Sequence, residues 1–261
     1  MRRTLPETVR HEFVRALRPP YETPIVVAVN GLLMTVLWFV FPSNLLFTFH
    51  GALAFPMVLA SWMYSDVPAT NVLGTDATSS LAALSDTRAM RRLLHARTLV
   101  LWIFVAPFCV FVGIVVSFSD KHPLASAATA VWIAIVPFGA LPLAGWLGIY
   151  FPYHPMPLKR RWELRHRWRT IIVRWLTLAI IPYGLVGLLV VLVSAPTLIY
   201  WVNVWPNWRT ERIPSDLFAW GVLIACFTSA LLWWLGSTWG ARIADRRQEK
   251  LVAFLSNPDA G

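Results

Sequence analysis

Chemistry on this chain would have to start from a small set of side chains. Asp66, Asp76, Asp86 and His95 are the one acidic and imidazole cluster within a short stretch. At a membrane face such groups could serve as general acid and base for a lipid or glycan transferase. The aspartates also sit where helix caps are expected, and capping explains most of them. His154 and His166 lie in a basic run without a metal-like partner, so a structural or solvated role is their default. Cys109 and Cys226 fall inside apolar blocks and read as small apolar residues rather than a disulfide or metal pair. The three lysines are Lys121, Lys159 and Lys250, and none follows a glycine. A phosphate-cradling loop of the GxxxxGK[ST] type is therefore missing, as are H-E-x-x-H and G-x-S-x-G. The chain is expected to hold no cofactor itself.

The elements around these groups are apolar. Of 261 residues, 57% are hydrophobic and only 14% charged, where a soluble domain would carry about a quarter charged residues. The expected fold is all-α: a polytopic membrane protein of one domain, residues 1–261. About 20 apolar residues cross a bilayer. The blocks that qualify run Pro24–Phe41, Leu45–Tyr64, Thr98–Phe118, Leu124–Tyr150, from Ile171 to near Val193, and Leu217–Trp239, six spans in all. They contain no Asp or Glu, which disfavours a proton-driven pump. Asn30 and His50 are the notable polar groups of the first hairpin, most simply interhelical hydrogen-bond partners. Prolines 56, 107, 137, 142 and 182 are candidate kinks.

Net charge is +10, and the basic residues gather at one set of block ends. Arg2 to Arg18, Arg88 to Arg97, Lys159 to Arg169 and Arg242 to Lys250 fall on one side, against Lys121, Arg209 and Arg212 on the other. The positive-inside rule then places both termini in the cytoplasm. The run KRRWELRHRWR (159–169) mixes aromatic and basic groups. As a span flank it reads as a lipid-phosphate contact, not an RNA site, so membrane lipids and no nucleic acid are the expected partners. Residues 1–23 form an amphipathic interfacial helix, with Thr4 and Glu7 as capping box and Val9, Phe13, Ala16 and Leu17 on its apolar face. A frayed basic tail is the bland alternative. Residues 151–170 form a basic cytoplasmic loop and 240–261 a cytoplasmic tail. Residues 194–216 form an outer segment, re-entrant or interfacial, with a long tilted fifth span as the alternative.

The long polar stretch is 65–97. A turn at Asn71–Asp76 leads to a short helix with Leu81 and Leu84 on one face, and Ser85-Asp86-Thr87 ends it before a basic run enters the third span. Such a helix could dock in a groove of a soluble subunit, or be an ordinary capped loop.

The order NVLGTDATSSLAALSDTRAMRRLLHAR, then a hairpin, then GWLGIYFPYHPMP resembles the permease subunits of ABC-type exporters, the bacterial ABC-2 class. Asn71, Leu73, Gly74 and Asp76 match an N-x-L-G-x-D stretch before a cytoplasmic helix. Arg91, Arg92, Leu93, Leu94 and Arg97 match the basic run into the third span. Gly145, Gly148, Phe151, Pro152 and Tyr153 match the close of the fourth. Ser85-Asp86 stands where a proline often precedes the basic run, and Trp146 and Tyr150 depart from the pattern after the glycines. The resemblance implies an ATPase-coupling segment carried by Asn71, Gly74, Asp76, Leu81, Leu84, Arg91 and Arg92. It implies a homodimer or a related second permease chain in the bacterial inner membrane. It also implies separate ABC ATPase subunits that carry ATP and Mg, and export of an amphipathic or lipid-like substrate. The alternatives are the membrane enzyme above and a non-catalytic assembly subunit.

Overall fold

The computed structural model describes residues 4–18, 21–40, 59–60, 62–64, 67–117, 123–152, 154 and 215–257, with scattered helical positions between 173 and 193. Among the described residues there is helix and no strand. The order is α1 Leu5–Ala16, α2 Glu22–Val40, α3 Val67–Thr70, a 3-10 turn Gly74–Asp76, α4 Ala77–Leu84, and α5 Thr87–Ser117. Then follow α6 Pro123–Ile135, a 3-10 turn Pro137–Ala140, α7 Leu141–Tyr150, α8 Ser215–Arg246 and α9 Gln248–Leu255.

Three stretches are long and apolar enough to cross a membrane: Thr87–Val115, Ala127–Tyr150 and Ala219–Arg246. The chain is thus a membrane protein by length and composition. They correspond to the expected third, fourth and sixth blocks. The first block appears as α2, a shorter apolar helix over Thr23–Leu37. The second lies mostly outside the described residues, as do the outer segment and nearly all of the basic loop. α5 starts at Thr87, at the expected re-cap, and carries the basic run Arg88–Arg97 as the first part of the same 31-residue helix. Asp86 explains the start, since its side chain accepts from the Arg88 amide at 2.9 Å and its carbonyl from the Met90 amide.

The fourth block is not one regular helix. Pro137 and Pro142 each lack the N–H that a continuing helix needs. In lipid the freed carbonyls must find donors inside the protein. Where the helix tightens into the 3-10 turn, the Ser229 hydroxyl of α8 lies 2.7 Å from the Ile135 carbonyl and 2.9 Å from that of Val136, and its one proton serves either of them. The approach needs a glycine opposite, because a Cβ on Gly139 would lie 2.1 Å from the Ser229 oxygen. Tryptophans add further ties. The indole N–H of Trp102 donates to Ala134 O, Trp146 to Gly236 O and Trp233 to Thr98 Oγ1.

Among the described residues two apolar cores result. One runs along the spans through Met34, Leu101, Val105, Trp132, Ile133, Leu141 and Val222. The other sits at the end that holds α4, through Leu73, Leu84, Met90, Leu94, Ile149, Leu251 and Leu255. Between α7 and the chain at 70–72 there is no spare room. A Cβ on Gly148 would stand 1.9 Å from the Thr70 carbonyl oxygen and 3.2 Å from the Val72 amide nitrogen. Backbone cannot yield as a side-chain tip can. Gly148→Ala is therefore expected to cost about 1–3 kcal/mol or more, read as a lowered thermal midpoint in detergent. A Cβ on Gly184 meets nothing within 4 Å among the described residues, and Gly184→Ala is expected to stay within about 0.5 kcal/mol of the native chain.

Candidate functional site

The end of the bundle around α4 carries the densest polar network among the described residues. It begins with a cap. The Asp76 carboxylate accepts from the Ser79 amide at 3.2 Å and from the Ser79 hydroxyl at 2.8 Å. The Ser80 hydroxyl is 2.7 Å from both the Leu73 and the Asp76 carbonyls, and so closes the turn back on itself. An eight-residue helix is marginal alone. What fixes it here is one arginine.

Arg97 lies on α5 with its side chain only 6% exposed. A guanidinium has five N–H groups in one plane, and here each has an acceptor. Nε donates to Glu12 Oε2 at 3.1 Å. Nη1 donates to the Val72 carbonyl and to Ser80 Oγ at 2.9 Å. Nη2 donates to Ser79 Oγ at 2.7 Å and to the Asp76 carbonyl at 3.3 Å. Glu12, on α1, is 1% exposed and holds a second cation, with Arg15 Nε and Nη2 both 3.0 Å from the same carboxylate oxygen. Arg15 also donates to the Thr75 carbonyl at 3.2 Å and lies 3.8 Å from Asp76. α1, residues 72–80 and α5 are thereby tied at one point. The hollow beside this point, lined by Glu12, Arg15, Thr23, Thr75 and Arg97, has room for about one water molecule.

The residues expected to form the coupling segment are placed as follows. Asn71, Gly74 and Leu84 are buried, Asp76 and Leu81 half-buried. Arg91 and Arg92 are half-buried on α5. The apolar face of α4 does not stand free. α9 packs on it, with Leu251 and Leu255 in one core with Ala83 and Leu84. α9 is itself held by a stack of Phe254 on His154 at 4.7 Å and by a hydrogen bond between His154 Nε2 and the Phe254 carbonyl. Just before it, Arg247 donates to the Ile149 carbonyl and covers the Tyr150 ring. What α4 leaves exposed is the edge Thr78, Ala82 and Ser85.

Of the acidic cluster, Asp76 and Asp86 both accept from amides at helix starts, and Asp66 is outside the described residues. His95 lies against the Trp233 ring at 4.5 Å. Among the described residues no three His, Cys, Asp or Glu side chains stand close enough to hold a metal. Glu12 and α9 were not singled out by sequence reasoning, and Arg97 was read only as the end of the basic run into the third span, not as a buried anchor. Signals existed for two of them: Glu12 is an acid three residues before Arg15 on a basic helix, and Leu251, Phe254 and Leu255 recur at helical spacing.

The chain matches no protein-family model, no curated protein and no solved structure.

Burial pushes the Asp76 carboxyl up, but the two bonds from Ser79, with Arg97 and Arg15 close by, more than reverse this and hold it below the usual carboxylate value. A depressed folded value means stabilisation that is present above about pH 4 and is lost as pH falls through that value. Exchange protection of the α4 amides is expected to fall in that acid window. In Asp76→Ala it should fall at neutral pH too, by the equivalent of about 1 kcal/mol for a lost cap. The acid-dependent loss should then be smaller, as protection factors measured at two pH values will show.

Proposed function

We propose that this chain is the membrane-spanning permease subunit of an ATP-driven ABC exporter. α4 is the element on which a separate ATPase subunit pushes. The observation that carries the reading is the Arg97 fork. It fastens the polar segment 72–80 to α5, so a displacement of α4 is delivered to a membrane helix and not absorbed by a loop. The motif resemblance at 71–97 and 145–157 supports the same assignment, and so does the basic character of this end of the bundle. In this reading six spans return both termini to the cytoplasm, and two permease domains pair, as a homodimer or with a related chain. The substrate is amphipathic or lipid-like, because the apolar blocks offer aromatic and aliphatic surface and no acid. The bacterial inner membrane is the site of action.

Since α9 already covers Leu84, the ATPase would meet the edge Thr78, Ala82 and Ser85. These side chains are small and exposed, so changes there test docking without opening the core. The tagged chain, extracted in mild detergent from its native host, is expected to bring down a nucleotide-binding subunit with ATPase activity. The variant carrying Thr78→Glu, Ala82→Glu and Ser85→Glu should retain its thermal midpoint and lose about tenfold or more of that subunit. If no nucleotide-binding subunit accompanies the native chain, the exporter reading is wrong.

A further inference from the structure

We infer that Glu12 is a positioning residue for the docking helix: by fixing the plane of the Arg97 guanidinium, α1 sets how α4 is presented to the ATPase. The docking part of this statement rests on the exporter reading, whereas the control of α4 by α1 stands on geometry alone.

The argument starts from the shape of arginine. Its five N–H groups share one rigid plane, so orienting one of them orients the rest. In Arg97, Nε is taken by Glu12, and the other four N–H groups are aimed at the 72–80 segment. Fixing the Nε end therefore fixes the four bonds that hold the turn and the start of α4. Two of those bonds pass through serines that relay the polarity onward. Ser79 accepts from Arg97 and donates to the Asp76 carboxylate. Ser80 accepts from Arg97, and its hydroxyl also meets the Leu73 and Asp76 carbonyls.

α1 has its own hold on α5, independent of this ion pair. Phe13 stacks on Phe104 with ring centres 5.4 Å apart and planes at 16°, and Ala16, one turn on along α1, is buried. Loss of the Glu12 carboxylate consequently leaves α1 in place and releases the guanidinium. A surface helix that merely lay on lipid would have no use for an acid 1% exposed on its protein-facing side. Arg15 completes the arrangement, paired with the same carboxylate oxygen while it holds the Thr75 carbonyl.

The test is amide hydrogen exchange on the purified full chain in detergent. In Glu12→Gln, which keeps the shape and removes the charge, amides of residues 72–80 are expected to exchange about tenfold faster, with those of α8 unchanged. Arg97→Lys keeps a cation without the fork and should give the same pattern, since three donors on a point charge cannot replace five in a plane. If Glu12→Gln does not yield folded protein, Glu12→Asp, which withdraws the charge by one methylene, takes its place with the same expected direction. Unchanged exchange at 72–80, or full rescue by lysine at 97, overturns the inference. The second arm uses the complex with its ATPase. Glu12→Gln should still bring the ATPase down, because the exposed edge of α4 is intact, but stimulation of its turnover by the permease should fall about tenfold. Retained stimulation despite faster exchange overturns the docking part. Faster exchange with no ATPase bound to any version sinks the exporter reading and leaves the control of α4 by α1 standing.

Discussion

Everything at the polar end of this protein depends on a buried arginine that has found an acceptor for every N–H. Arg97 is surrounded by Glu12, Ser79, Ser80 and two backbone carbonyls, which come from α1, from the turn before α4 and from the first turn of α4. Burying such a charge is expensive, and a buried pair is weak evidence of net stability. Removing one partner is a different matter, at about 3–5 kcal/mol, because the other is left charged and unsatisfied. The network therefore acts mainly as a specification. Only one placement of α1, of residues 72–80 and of α5 satisfies all five bonds at once. The short helix α4, too brief to be stable alone, takes its position from that solution.

Along the spans the governing constraint is the absence of water. Prolines 137 and 142 break what would have been one helix, and a break in lipid is tolerable only where the freed carbonyls are met from within. At the joint the Ser229 hydroxyl serves the Ile135 and Val136 carbonyls, and Gly139 makes its approach possible. The indole donors of Trp102, Trp146 and Trp233 follow the same rule, each spent on an oxygen of another helix. The result is a jointed segment from Ala127 to Tyr150 that is stapled to α8 at its joint and closed against Thr70 at its end through Gly148.

Those apolar lengths were legible in the sequence, because about 20 residues of hydrocarbon-compatible side chain mean the same thing in any context. The Asp76 cap and the restart after Asp86 were legible for a similar reason, since a cap acts within four residues. Glu12 was not. Read locally it is half of an i,i+3 pair with Arg15, and its second partner is 85 residues away. The basic run misled in a related way. It reads only as positive charge at the entrance to a span, yet on one helix Arg88 and Arg97 are nine residues apart, about half a turn out of phase at roughly 100° per residue. Arg88 is exposed and Arg97 buried. Sequence pattern gave the number of charges, while helical phase decided which of them turned inward.

The same distinction bears on what α4 can offer a partner. Leu81 and Leu84 looked like a docking face because they are the large apolar groups on a short polar segment. α9, which follows α8 far along the chain, takes that face first. Leu84, Leu251 and Leu255 are each 2–3% exposed, and burial of such side chains is worth about 1.5–3 kcal/mol apiece. A partner that displaced α9 would have to replace all of that before gaining anything. It is physically cheaper for it to accept α4 and α9 as one unit and to meet the edge of small side chains at Thr78, Ala82 and Ser85. Such an edge supplies little apolar area and no anchor, but it lets another backbone come close. The edge of small side chains then lets a partner bind, while the angle at which α4 is held decides how its push is passed on to α5.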